Sequence, residues 1–439
     1  MKLFIDTVRD QLLLELSETP PPFVTSSPSR GPRSEVPYTQ LWGNYSSLTE
    51  GDLHHYDTHS DCTDLSTLPR GRFISEFGFQ SLPSLHSLAP VLDQSQGDYV
   101  WDSTMMEHRE RGPTYATMRA QVANHFNLSA SEVSDQKEAF ENWLYLSQSA
   151  QALCVNTAVD FWRRIKQETP GRTMGALYWQ LNDVWQAPTL SSLEYTGGAG
   201  VRWKQLHYHV ARAFAPLVAT GYIANTSHDG PTAFAYGVSD VNMALQGQLQ
   251  INITSWSAGV VATLSADVSL DALQAKPVWQ QPLDKLLARS ECGAAPAYRN
   301  CYLTLQLTTK GETTRVSPRA HIFPVPLKSA PLSVPKLRLD HFAAGELAPV
   351  EVQQADIDAE EQSEAASAPL LSATLTVSSD VGAAYVVLDT PLGGHFSDNS
   401  FHMDAGSTRS LTFVAAQDPP QPFTLEQLQQ SVRVRAMTN

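Results

Sequence analysis

Cysteine is scarce in this chain, four among 439 residues, which is too few for a disulfide-built scaffold, and no CxxC or Cys/His spacing suggests structural zinc. Positive charge is also short. Thirty Lys and Arg stand against 45 Asp and Glu, a net charge of -15; such a surface repels phosphate backbones, so nucleic acid and anionic membrane surfaces are not expected partners. No run is long and apolar enough to span a bilayer. P-loop, GxGxxG and GxSxG patterns are missing too, which removes nucleotide, dinucleotide and serine-hydrolase readings. The first residues, MKLFIDTVRDQLLLEL, lack the unbroken apolar core of a signal peptide because Asp6, Arg9 and Asp10 interrupt it. Leu3, Phe4, Val8, Leu12 and Leu13 recur instead at helical spacing, so the segment reads as an amphipathic helix and the chain is expected to be cut within a longer protein.

What is present describes two or three globular domains, given the length and an apolar fraction of 42%. Residues 1–216 alternate helical and extended patterns. PFVTSSP (22–28), GDLHHYD (51–57), GRFISEFG (71–78) and TMGALYWQLND (173–183) read as four strands with polar or ionisable groups near their C-terminal ends, where α/β barrels build their sites. Helices are expected over 136–167 and over WKQLHYHVARAFAPL (203–217). Four strands make half a barrel. From 217 the period changes to two: Leu249, Ile251 and Ile253 alternate with polar residues, as do Leu303, Leu305 and Leu307, which predicts a β-sandwich over 217–327 with Asn252 on its solvent face. The prolines from 318 to 335 read as a linker, and 328–439 as a second sandwich carrying an acidic surface insertion at 344–369. Cys292 and Cys301 flank a short loop and suit a staple in an oxidising compartment; Cys62 and Cys154 are too far apart for their pairing to be read. Sequons at Asn44, Asn127, Asn225 and Asn252 lean towards the secretory route.

Among residues that carry chemistry, Glu76 ends a buried-looking strand, a position open equally to a nucleophile and to an ion-paired carboxylate. Its neighbours decide between them. The run RFISEFGFQSLPS (72–84) resembles the nucleophile segment of glycoside hydrolase family 2 β-mannosidases. GALYWQLNDVWQAPT (175–189), SLEYTGG (192–198), PFVTSSPS, GDLHHYD with SDCTD, WKQLHYHVARAFAPL and GGHFSDNSFHM (393–403) resemble other segments of the same family in matching order. The resemblance covers essentially the whole chain. It implies the C-terminal half of a TIM (β/α)8 barrel, strands five to eight, followed by two β-sandwich (Ig-like) domains. It also implies retaining exo-hydrolysis of terminal β-mannose in glycoprotein-derived oligosaccharides, in lysosomes, with no cofactor and no metal.

Such chemistry uses two carboxyls about 5 to 5.5 Å apart. Glu76 matches the nucleophile; the acid/base, an Asn-Glu pair closing the fourth barrel strand, is expected before Met1. The resemblance places Trp179 in the sugar subsite, where an indole stacks on a pyranose face. Tyr56 is the candidate to hold the nucleophile's carboxylate, with His54 on the same strand face as a supporting candidate, counted among the substrate-binding residues; a core tyrosine and a packed histidine stay equally open. Asn182 and Asp183 divide between sugar binding and scaffold. His55, Asp57 and His59 invite a metal reading that the chemistry does not require. Phe77 departs from the family's frequent Tyr after the nucleophile. Two rival readings remain: a non-catalytic carbohydrate-binding or interaction protein, and a sister activity such as β-galactosidase or β-glucuronidase.

Overall fold

The computed structural model describes residues 48–109, 114–128, 134–196, 201–227, 229–295, 297–311, 314–346, 371–416 and 424–438, with Thr7, Val8, Gln11, Glu15, Val24 and Ser26 to Ser29 as isolated positions. Most of the opening helix, Asn44, and the acidic stretch beyond Glu346 lie outside them.

Short apolar runs entered by glycine give a parallel sheet of three strands, β1 (Leu53–His55), β2 (Ile74–Phe77) and β3 (Ala176–Tyr178), in that order. The fourth strand expected at 22–28 is not seen at its described positions: Ser26 to Pro28 form a bend. Proline supplies no ladder donor there, and the amide of Ser29 goes to the Asp52 carboxylate instead. The helices that cover this region include α1 (Thr114–His125), α2 (Gln136–Arg164) and α3 (Gln205–Ala213). Asp135 caps α2 by accepting from the Glu138 amide at 2.8 Å. The helix buries Phe140, Trp143, Leu144, Val155 and Trp162, and the Trp162 ring meets Phe77 of β2 edge-on at 4.6 Å.

A disulfide joins Cys62, after β1, to Cys154 on α2, a pairing that the sequence does not disclose. It closes a separation of 92 residues, whereas Cys292–Cys301 closes 9. In the chain-entropy picture the longer loop stabilises by roughly 2 kcal/mol more. Replacing Cys62 and Cys154 by Ser is therefore expected to cost about 2 to 5 kcal/mol, and more than the corresponding double change at 292 and 301, as read by denaturant titration of the first region.

A two-stranded pair, β4 (Leu193–Glu194) with β5 (Arg202–Trp203), lies between β3 and α3 in the chain, and two two-layered β regions follow. The first pairs β6 (Leu217–Thr226), β7 (Gly230–Ser239), β8 (Leu245–Ser255), β9 (Gly259–Leu270), β10 (Ala275–Pro282), β11 (Cys301–Lys310) and β12 (Ala320–Ile322) into sheets ordered β10-β7-β6 and β12-β11-β8-β9. Leu249, Ile251, Ile253, Leu303, Leu305 and Leu307 all lie in its core, as their alternation requires. β12 falls within the expected proline linker, which is corrected here: an edge strand tolerates flanking prolines, and β12 pairs residues 320–322 with 303–305. Asn252 is corrected as well. It is only 7% exposed, and its side-chain oxygen accepts from Thr263 and Gln250; alternation reveals a face but not what covers it.

The second β region pairs β13 (Arg338–Glu346), β14 (Leu371–Ser378), β15 (Ala383–Asp389), β16 (Gly394–Phe396), β17 (Phe401–Met403), β18 (Thr408–Ala415) and β19 (Arg433–Met437) into sheets ordered β13-β14-β18-β16 and β17-β15-β19. Residues 344–346, read from the sequence as the start of an insertion, belong to β13. This region locks onto the helices: Arg212 of α3 pairs with Asp398 and donates to the carbonyl of Ser400, and the Tyr145 hydroxyl of α2 donates to the carbonyl of Tyr385. Among the described residues no helix is long and apolar enough to cross a membrane.

Candidate active site

Parallel pairing sets the site's geometry. In the β1/β2 register His54 is the partner of Glu76, so the two side chains share one face at the C-terminal ends of the strands. Tyr56, just past β1, donates its hydroxyl to Glu76 Oε2 at 2.9 Å. His54 Nδ1 stands 3.4 Å from the same oxygen. Among the described residues both contacts fall on Oε2. Tyr56 and His54 thus meet at the carboxylate, as their spacing on one strand anticipates.

Behind Glu76 lies a second carboxylate that sequence reading missed. Asp52 Oδ1 accepts from the Ser29 amide at 2.6 Å, and its Oδ2 accepts from Ser27 Oγ at 2.5 Å and from Ser75 Oγ. Burial pushes the Asp52 carboxyl up, but the hydrogen bonds from Ser27, Ser75 and Ser29 outweigh it and hold the group below the usual carboxylate range. Ser27 Oγ also lies 2.9 Å from His54 Nε2.

Trp179 follows β3, its amide donating to the carbonyl of Phe77 at 2.7 Å. That bond brings residue 179 beside the end of β2, and Trp179 is 46% exposed. Gly78 makes this approach feasible: a Cβ there would sit 2.3 Å from the Trp179 carbonyl oxygen and 3.0 Å from Leu190. Gly78→Ala is accordingly expected to destabilise by about 1 to 3 kcal/mol and to displace Trp179; a melt together with saccharide titration of tryptophan fluorescence checks both.

Asp183 turns the other way, which corrects its place among sugar-binding candidates. Its carboxylate is fully buried, accepts from Thr189 and Ser191, and pairs with the equally buried Lys204 at 3.7 Å. Burial drives the Lys204 ammonium down, while Asp183 and Glu194 push it back up. Glu194 in turn accepts from Ser84, Ser87 and Gln148. The cluster fixes the loop that carries Asn182, which stays exposed and donates to the Asp183 carbonyl. Phe77 points into the core against Trp162, away from the strand face that carries Glu76.

The metal reading of 55, 57 and 59 finds no convergence: His55 packs edge-on to Trp162, and Asp57 accepts from the amides of His59 and Ser60. Asp61, Cys62 and His125 do bring ligand atoms within 4.8 Å of one another, but the Cys62 sulfur is in a disulfide. Of the sequon asparagines, Asn225 is exposed and Asn127 half-buried.

Comparisons with known proteins bear on this arrangement. The Mannosidase Ig/CBM-like domain family matches residues 232–329, and the Ig-fold domain family of mannosidases matches 352–439. The goat (Capra hircus) β-mannosidase is 34% identical over 443 residues, covering 100% of this chain and 45% of the goat protein. The rat (Rattus norvegicus) β-mannosidase is 33% identical, with the same coverages. Over its whole length the chain is similar to these β-mannosidases. Its fold is that of the solved β-D-mannosidase of Dictyoglomus thermophilum, at TM-score 0.64 and 20% identity over 90% of this chain and 41% of that one. Like that match, the mammalian β-mannosidases are covered only in part: the chain spans about half their length.

Proposed function

We propose that this chain is the nucleophile-bearing portion of a retaining β-mannosidase that removes terminal, non-reducing β-mannose from glycoprotein-derived oligosaccharides. One observation carries the reading: Glu76 stands at a strand end with Oε2 accepting from Tyr56 and lying 3.4 Å from His54 Nδ1, and with Oε1 left to attack. In this mechanism Oε1 attacks the anomeric carbon and the glycosidic oxygen leaves with a proton from the acid/base residue. Water, deprotonated by that same residue, then releases mannose from the Glu76 ester with β configuration. Trp179 supplies the stacking face and Asn182 a hydroxyl partner. The acid/base glutamate is assigned to the part of the whole protein that this chain does not span.

Residues 1–216 are read as strands five to eight of a (β/α)8 barrel. In support, β3 is an edge strand whose Leu177 is exposed, with Met174 before it and Leu181 after it exposed as well, an apolar row that the remaining strands would cover. Two disulfides and the exposed Asn225 sequon support passage through the secretory route to lysosomes.

The test compares aryl β-mannoside, β-galactoside and β-glucuronide with the whole protein, following the first-formed anomer by NMR. Turnover of the mannoside with β-mannose appearing first is expected. Preference for galactoside or glucuronide, or α-mannose appearing first, overturns the assignment; substrate binding without turnover favours a carbohydrate-binding role.

A further inference from the structure

We propose that Asp52 is a positioning residue for the nucleophile, acting through Ser27 to fix which nitrogen of His54 faces Glu76. The proposal rests on Glu76 as the nucleophile and goes beyond it, since Asp52 does not touch that carboxylate.

The argument is one of hydrogen counting. An ionised carboxylate only accepts, and a serine hydroxyl has one hydrogen to give. Ser27 and Ser75 both give theirs to Asp52 Oδ2, and their own oxygens, 3.3 Å apart, have no further hydrogen to share. Ser27 Oγ must therefore accept from its other neighbour, His54 Nε2, 2.9 Å away. The Nε2 hydrogen is thus assigned, and Nδ1 is left facing Glu76 Oε2. A bare Nδ1 lone pair beside a carboxylate repels it, whereas a second proton on that nitrogen makes an ion pair. Asp52 thereby ties the proton between His54 and Glu76 to an anion one residue beyond. The same carboxylate braces the nucleophile's own strand, because Ser75 immediately precedes Glu76, and it anchors the 27–29 segment through the Ser29 amide.

Asp52→Asn replaces one acceptor by a donor. Ser27 then accepts from the new amide and turns its hydrogen to His54 Nε2, so the hydrogen moves to Nδ1 and points at Glu76. Ser27→Ala cuts the same chain with less disturbance, and Ser27→Thr keeps the hydroxyl as the conservative rescue.

The experiment uses the whole protein with histidine rings labelled by ¹⁵N, and dinitrophenyl β-mannoside as a substrate whose leaving group needs little protonation. In the parent chain the His54 spectrum should show hydrogen on Nε2; in Asp52→Asn it should move to Nδ1. The first-turnover release of dinitrophenolate should slow by about 10- to 100-fold in Asp52→Asn and Ser27→Ala, with half-saturation within about threefold and the acid limb of the pH profile displaced. Ser27→Thr should restore the parent's behaviour. An unchanged His54 tautomer together with an unchanged pH profile in both disabling variants overturns the proposal. Glu76→Gln, run alongside, tests the underlying reading separately: release at the parent rate in that variant rejects the nucleophile, whatever the ring spectra show.

Discussion

Glu76→Gln in the whole protein should lower kcat by roughly 10⁴-fold or more, on the order of 5 kcal/mol of lost transition-state stabilisation. Glutamine keeps the shape and the carbonyl oxygen that accepts from Tyr56, but its neutral oxygen cannot form the glycosyl ester. The fold should hold. Glu76 is part-exposed at a strand end and supports no buried packing, so stability should stay within about 1 kcal/mol of the parent. Tyr56→Phe separates holding from attacking. It deletes one hydrogen bond to a charged oxygen, worth about 1.5 to 3 kcal/mol, and so should slow glycosylation by roughly 10- to 150-fold without abolishing it. A mass spectrum taken after brief exposure to an activated aryl mannoside should show one covalently added mannosyl unit on the parent and on Tyr56→Phe, and none on Glu76→Gln. An adduct on Glu76→Gln reassigns the nucleophile.

How much of this was legible in the residues depended on how local the determining interaction was. His54 and Tyr56 were readable together because a two-residue repeat on a short strand fixes which side chains share a face, whereas Glu76 was marked by the resemblance of its run to a known family's nucleophile segment. The same repeat located the cores at Leu249, Ile251 and Ile253 and at Leu303, Leu305 and Leu307. Asp52 was missed because its partners arrive from Ser27, Ser29 and Ser75, and no pattern within the strand announces them. Asp183 stayed divided between sugar binding and scaffold for a related reason: a strand end does not say which way a carboxylate turns, and the pull comes from Lys204 and from the hydroxyls of Thr189 and Ser191. The proline-spaced β12 hid a three-residue strand, too short for alternation to register. GGHFSDNSFHM was singled out as a run, but nothing in it shows that its second histidine meets two others from distant segments.

That meeting carries the second large prediction, a loss of stability on acidification that begins well above the carboxylate range. His209 of α3, His321 of β12 and His402 of β17 gather where the three regions join, beside a cavity of about 1110 Å³ that all three line. His321 and His402 have ring centroids 4.5 Å apart, and Tyr385 stacks on His209 while meeting His402 edge-on. His321 Nε2 and His402 Nδ1 have no hydrogen-bond partner among the described residues. Burial, then neighbouring cations that include Arg212, lower all three, His321 to about 3 and the others well below 6.5. The folded protein therefore leaves unbound protons that the unfolded chain takes up. Their favourable contribution is fully present above pH 6.5, and it is lost as pH falls from there towards the folded values, by at most about 1.4 kcal/mol per histidine per pH unit. Asp52, Asp61 and Asp389, whose folded values are lowered, lose their contributions only as pH falls below their ordinary 3.8, so the two windows separate. Melts between about pH 7.5 and about pH 4.5 should fall steeply in the parent. His321→Gln with His402→Gln should flatten that slope by two histidines' share, and proteolysis should show the second β region releasing first. A parent as stable at about pH 4.5 as at about pH 7.5 would mean that these rings take up protons in place, with Asp398 and Asp404, which already pair with Arg212 and Arg319, compensating them. A protein that performs at an acidic pH inside the same window must offset the loss with terms that pH does not touch, of which the Cys62–Cys154 closure is the largest identified in this chain.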